Sequence, residues 1–211
     1  MFAEQSRPFL VLTALLSVTF TTTTMAGSHL WRFNEVFSDA SGKIQFVELK
    51  ESAGASSETL LINKWVESDT TGQQFIFPEN LVPPTSNKYL LLATAAFADL
   101  PGAPTPDYIV PDGFFSLGGD TLSYWTYPAA TMTWLAGEVP TDGILSLNID
   151  GSTSANSPTN YAGETGFVAG SGAVPAASSW GVTVLALVIL AAGSLLWVRR
   201  RQAGTREAVL S

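Results

Sequence analysis

Residues 27–167 of this 211-residue chain predict an all-β sandwich. Three observations carry the prediction. Apolar residues fall in short runs rich in β-branched and aromatic side chains, as in Phe46-Val47-Glu48-Leu49 and Phe75-Ile76-Phe77. Clusters of Gly, Pro, Asn, Asp and Ser separate the runs. No segment holds a 3.6-residue apolar period, although residues 95–100 can form one helical turn.

Strands are expected at 30–37, 43–50, 60–67, 73–77, 89–93, 108–110, 121–125 and 144–148. Ser41-Gly42 closes the first, Thr71-Gly72 divides 60–67 from 73–77, and Pro83-Pro84 precedes 89–93. Pro111-Asp112-Gly113 and Gly118-Gly119-Asp120 lie between 108–110 and 121–125, while Asp142-Gly143 and Asp150-Gly151 flank 144–148. Glycine supplies positive φ, proline fixes φ and removes a donor, and Asp, Asn or Ser bonds the adjacent backbone.

Charge and composition exclude several kinds of protein. The whole chain carries −8, but within 27–179 five basic residues (Arg32, Lys43, Lys50, Lys64, Lys88) stand against sixteen acidic ones, a net of −11. Such a surface repels phosphate backbones and anionic headgroups, which disfavours nucleic acid as a partner unless divalent cations bridge the two. Cysteine is absent, excluding thiol nucleophiles, cysteine zinc sites and covalent haem attachment. About 140 residues suffice for one core without disulfides. The single histidine, His29, is expected to be exposed near a new N-terminus and without a role. No Gly-x-Ser-x-Gly elbow, histidine triad or His-Glu-x-x-His motif is present, so no enzyme is expected.

The two ends carry addresses. Residues 9–20 form a twelve-residue, mostly apolar run after a weakly basic start, and the small residues Thr24 and Ala26 precede Gly27. This predicts a signal peptide over 1–26, cut by signal peptidase between Ala26 and Gly27; an uncleaved N-terminal anchor is the alternative. At the other end an uncharged nineteen-residue run covers 180–198, followed by Arg199, Arg200 and Arg201. As a helix it is about 28 Å long, close to the hydrocarbon thickness of a bilayer, and the arginines hold its end on the cytoplasmic side. The expected organisation is therefore a signal peptide, an exported domain over 27–167, a linker over 168–179, a transmembrane helix over 180–198 and a basic tail over 199–211.

Order adds a family resemblance. Asn34-Glu35-Val36-Phe37, Phe46-Val47-Glu48-Leu49, Leu61 with Trp65, Gly72, Phe75-Ile76-Phe77-Pro78, Pro84 leading into Tyr89-Leu90-Leu91-Leu92, and Phe115 through Leu122 follow one another. This succession resembles the lamin-tail domain of nuclear lamins and many secreted bacterial proteins, which implies an immunoglobulin-like β-sandwich. Asp142 through Leu147 and Asn156-Ser157-Pro158-Thr159-Asn160 look like its terminal elements. Asn63-Lys64 departs from the family pattern, and residues 99–107 read as a surface excursion.

The membrane boundary has a resemblance of its own. Val174, Pro175, Ser178, Trp180 and Gly181, with the span and Arg199, Arg200 and Arg201, resemble an IPTL-type sorting signal, a relative of the PEP-CTERM tails of Gram-negative bacteria. Ala176 and Ala177 depart from it. The resemblance implies removal of the tail by a rhomboid-like protease or an exosortase-type enzyme; a permanent single-pass anchor is the alternative.

Four groups are candidates for chemistry. Glu35 and Glu48, on strands expected to be neighbours, form a carboxylate pair that binds Ca²⁺, shares a proton or serves the framework; a two-carboxylate hydrolase would need such a pair in an open cleft. Asn148, Asp150 and Ser152 are candidate Ca²⁺ ligands in an Asn-Ile-Asp-Gly-Ser loop, although Thr159 stands where an EF-hand needs Glu. Tyr124, Trp125, Tyr127 and Trp134 offer faces for sugar rings, with strand alternation assigning about half of them to the core. The expected protein is an exported, non-enzymatic surface or secreted module, structural or binding, with a carbohydrate- or Ca²⁺-dependent adhesion module as the alternative.

Overall fold

The computed structural model describes residues 26–170. The signal peptide expected up to Ala26, the sorting motif from Val174 to Gly181, the membrane span and Arg199 to Arg201 lie otherwise outside the described residues. Among those described, no helix is long and apolar enough to cross a membrane.

Ten strands and one four-residue helix follow in order: β1 (Trp31–Ser38), β2 (Gln45–Glu51), β3 (Trp65–Ser68), β4 (Gln74–Ile76), β5 (Tyr89–Thr94), α1 (Ala95–Ala98), β6 (Tyr108–Val110), β7 (Gly119–Tyr124), β8 (Thr131–Leu135), β9 (Leu145–Asn148) and β10 (Thr153–Ala155). A six-stranded sheet has the order β10-β9-β1-β2-β5-β6, and a four-stranded sheet the order β4-β3-β7-β8. All neighbours are antiparallel except β5 and β6. That parallel pair needs a crossover, which residues 95–107 supply.

The main core joins the two sheets. Trp31, Phe33, Val36, Val47, Leu49, Leu90, Leu92 and Leu147 of the larger sheet cluster with Val66, Leu122, Tyr124, Met132 and Trp134 of the smaller. Phe33 and Val36 are three residues apart and would point to opposite faces of a regular strand. A register shift between Phe33 and Glu35 absorbs the extra residue and turns both inward. The same bulge sets Glu35 and Phe37 on the outer face of the sheet.

That outer face is buried too. Phe37, Ile44, Phe46, Leu91, Ala93, Phe97 and Val168 form a second cluster, with Phe97 brought by α1 and Val168 by the C-terminal strap, residues 156–170 after β10. Thr94 caps α1 by accepting the Phe97 N–H. Burial on both faces accounts for the continuous apolar run Leu90-Leu91-Leu92-Ala93 in β5. The strap stays packed through Gly170, whose N–H donates to the Gly143 carbonyl at 2.7 Å, beyond the expected limit at 167.

Several elements differ from expectation. Strand β3 begins at Trp65 rather than residue 60, because the chain turns through Asn63 at φ 63°; this is the departure already visible at Asn63-Lys64. Strands β8 and β10 were not expected. Residues 99–107 are more than an excursion: Pro104 is buried, Asp107 binds the Leu91 N–H, and the Thr105 carbonyl accepts from Asn160. Gly102 and Gly166 pack backbone against backbone, leaving no room for a Cβ at either.

Candidate functional site

Glu35 and Glu48 sit directly opposite each other across β1 and β2, each 1% exposed. Glu35 accepts hydrogen bonds from the Ser146 hydroxyl, the Ser157 N–H at 2.9 Å and the Ser157 hydroxyl at 3.0 Å. Glu48 accepts from the Asn34 side-chain amide at 2.6 Å and the Thr159 N–H at 2.6 Å. The strap thus lays its Asn-Ser-Pro-Thr-Asn segment over the pair and satisfies it. Burial, and secondarily the neighbouring Glu35 carboxylate, push Glu48 up to about 8, against the pull of Thr159, Asn34 and Lys50. At neutral pH Glu48 holds its proton.

This arrangement serves the framework. The contacts of these carboxyl oxygens are N–H and O–H donors that the fold itself supplies. Neither carboxylate opens onto a substrate-sized cleft, so this pair does not supply the two exposed acids of a glycoside hydrolase.

The same use of acids recurs at the loops. Asp39 accepts from Ser41 and the Ile44 N–H; Glu51 from the N–H groups of Ala53, Gly54 and Asn87. Glu58 accepts from the Leu30 N–H, and Asp120 from Ser68 and the N–H groups of Thr70, Ser116 and Thr121. Asp107 joins Leu91 of β5 to Tyr161 of the strap, and burial raises its pKa despite those donors. Glu35 and Glu48 are legible in the sequence, whereas Ser146, Ser157, Thr159 and Asp107 are not. The available signal is an acid flanked by apolar residues in Asn34-Glu35-Val36-Phe37 and Phe46-Val47-Glu48-Leu49, which a buried strand tolerates only with donors supplied from elsewhere.

The candidate Ca²⁺ loop closes on itself. The Asn148 amide nitrogen donates to the Ser152 carbonyl, the Ser152 hydroxyl and the Ser154 hydroxyl, at 3.1, 3.2 and 3.1 Å. Asp150 accepts from the Ser152 N–H at 2.9 Å and its hydroxyl at 2.6 Å, and these bonds, the hydroxyl first, lower its pKa. These bonds hold Asn148, Asp150 and Ser152 to one another and to Ser154 within the turn. Among the described residues no three His, Cys, Asp or Glu side chains converge as a metal site.

The aromatic group divides between core and surface. Tyr124 and Trp134 are buried, Trp134 donating from its indole nitrogen to the Ser116 carbonyl at 3.0 Å. Trp125 and Tyr127 are half-buried. Trp125 packs edge-on to Trp65 with ring centroids 4.1 Å apart, and the Lys64 ammonium lies 5.6 Å from its ring centroid.

Two clefts open beside β8. One, of about 420 Å³, lies between Thr133 and Glu138 on one side and the 147–151 turn on the other. Its neighbour, of about 360 Å³, has Arg32, Asn34, Lys50 and Ser52 on one wall and Ala129 on the other; Thr131 and Ile149 border both clefts. These volumes fall at the small end of ligand pockets, roughly 300–1,000 Å³.

The fold and its sites define a two-sheeted all-β protein whose buried acids tie loops and a C-terminal strap to the sheets. Comparisons with protein-family models, curated proteins and solved structures give no match.

Proposed function

We propose that the chain is an exported, non-enzymatic β-sandwich of the lamin-tail, immunoglobulin-like type, working as a structural or binding module of the cell envelope or extracellular matrix. A signal peptide ending at Ala26 exports it, and the tail from Val174 to Arg201 sorts it before a rhomboid-like or exosortase-type enzyme removes that tail. One observation carries the non-enzymatic part: the acidic residues nearest to a catalytic arrangement, Glu35 and Glu48, are buried and bonded by the strap. The lamin-tail assignment is supported by the two acidic motifs on adjacent strands β1 and β2, with the Trp65 strand, Phe77-Pro78 and Gly119-Asp120 following in order.

A second reading, a carbohydrate-dependent adhesion module kept on a permanent anchor, is favoured by the half-buried Trp65 and Trp125 beside exposed Ile76. Intact-mass measurement of the protein recovered from its host tests both. An N-terminus at Gly27 with a C-terminus near Ala177 is expected. A C-terminus at Ser211 would leave a permanent anchor, and an N-terminus at Met1 would remove the signal peptide.

A further inference from the structure

Arg32 and Lys50 are register partners on β1 and β2, so two of the five basic residues in the −11 segment stand side by side. Neither takes part in an ion pair: among the described residues the only one joins His29 to Glu58 at 3.6 Å. Arg32 is held in place through Nη1, which donates to the carbonyls of His29 and Trp31 at 2.6 and 2.8 Å. The Lys50 ammonium lies 5.0 Å from the Tyr89 ring centroid. Both residues line the cleft of about 360 Å³. Two adjacent basic residues at one cleft favour an anionic ligand there over the rest of so acidic a domain.

The rest of the lining is not that of a bare-ion site. Ser52 and Thr131 offer hydroxyls, and Asn34, whose amide nitrogen is committed to Glu48, offers its carbonyl oxygen. Ala129 and Ile149 offer aliphatic surface, with Ile149 49% exposed. Cations, hydroxyls and a C–H surface together match a hydroxylated ring that bears one carboxylate. The second cleft continues past Thr131 and Ile149, where Glu138 and Asp150 would repel a second anion but leave room for a neutral neighbouring ring.

We propose that this cleft binds a carboxylate-bearing sugar of an acidic glycan, with Arg32 and Lys50 flanking the carboxylate and Ile149 under the ring. The inference rests on the binding-module reading above and assigns it a ligand class and a place away from Trp125.

The test is isothermal titration calorimetry on the full-length chain in detergent, with three probes: a trisaccharide bearing a single uronate ring, the same trisaccharide with that ring neutral, and inorganic phosphate. The uronate trisaccharide is expected to bind, to weaken about tenfold in R32Q and in K50Q, to weaken as ionic strength rises, and to be unchanged in K43Q. The neutral sugar and phosphate are each expected to bind at least about tenfold more weakly. Thermal unfolding of each variant separates lost binding from lost folding. No binding of the uronate trisaccharide, equal binding of the neutral sugar, equal binding of phosphate, or full binding by a folded R32Q/K50Q double variant would each overturn the proposal. Intact mass scores export and processing separately, so a processed protein that binds nothing defeats the cleft and leaves the proposed function standing.

Discussion

Glu35 and Glu48 face each other across β1 and β2, and the strap residues Ser157 and Thr159 bond one carboxylate each. The contact couples the last part of the domain to its first two strands, over sequence separations of 122 and 111 residues. A pair of like charges at this position is tolerable because Glu48 keeps its proton at neutral pH.

Stability should therefore fall with rising pH. Glu48 has a folded pKa of about 8 against an ordinary value of 4.5. The folded protein binds the more protons between those values, so its advantage is complete below about 4.5 and is lost as pH rises through about 8. The penalty above pH 8 is on the order of 5 kcal/mol at most. Urea unfolding at pH 5, 7 and 9 should show the decline, and E48Q, which cannot ionise, should flatten it. An equally steep decline in E48Q would place the titrating group elsewhere, at Asp107 for example.

Asn156 fixes the strap independently of the carboxylates. Its side chain donates to the carbonyls of Ile144 and Val168, at 2.6 and 2.8 Å, and accepts the Val168 N–H at 2.9 Å. N156A leaves the buried Val168 N–H and carbonyl without these partners and should cost about 1–3 kcal/mol. Release of the strap should also expose the chain after residue 156 to limited proteolysis under native conditions. Unchanged cleavage together with unchanged stability would refute this role.

Legibility from sequence followed the physics of each element. Strands β1, β2, β5, β7 and β9 announce themselves because their apolar residues are numerous and their ends carry Gly, Asp or Pro. Strand β8 is equally visible in Thr131-Met132-Thr133-Trp134-Leu135, whose alternate residues are buried, although Trp134 read with Tyr124-Trp125-Thr126-Tyr127 suggests a sugar platform instead. Strand β10 was not visible: Thr153-Ser154-Ala155 is exposed throughout and held by backbone pairing to β9. The bulge at Asn34 also left no mark, since a one-residue slip changes which face a residue occupies without changing composition. Of the candidate site, the acids could be read and their donors could not. Ser157 and Thr159 look like any polar turn until the fold brings them over β1 and β2.

Tyr124 offers a test of opposite sign. Its hydroxyl is buried without a hydrogen-bond partner among the described residues, although Ser28 lies near enough to oppose the upward push of burial on its pKa. Y124F removes an unsatisfied group while keeping the ring contacts with Phe77 and Tyr127. It should leave stability unchanged or raise it by up to about 1 kcal/mol. A loss above about 1 kcal/mol would mean that the hydroxyl has a partner in solution, such as a buried water.

Gly27 links the expected cleavage point to the folded domain. Its N–H donates to the Ser57 carbonyl at 2.9 Å and its carbonyl accepts the Leu60 N–H at 2.8 Å, so this residue already belongs to the sandwich. A Cβ there would lie 2.6 Å from Glu58 Oε1, and Glu58 is 3% exposed and tied to Leu30 through its other oxygen. G27A should therefore cost about 1–3 kcal/mol by overpacking. Shortening the obstacle in G27A/E58D should recover part of that loss, whereas the E58D change alone should destabilise by lengthening the bond to Leu30. Equilibrium unfolding of the three variants gives the coupling directly. Strictly additive losses would mean that Gly27 and Glu58 do not compete for the same space.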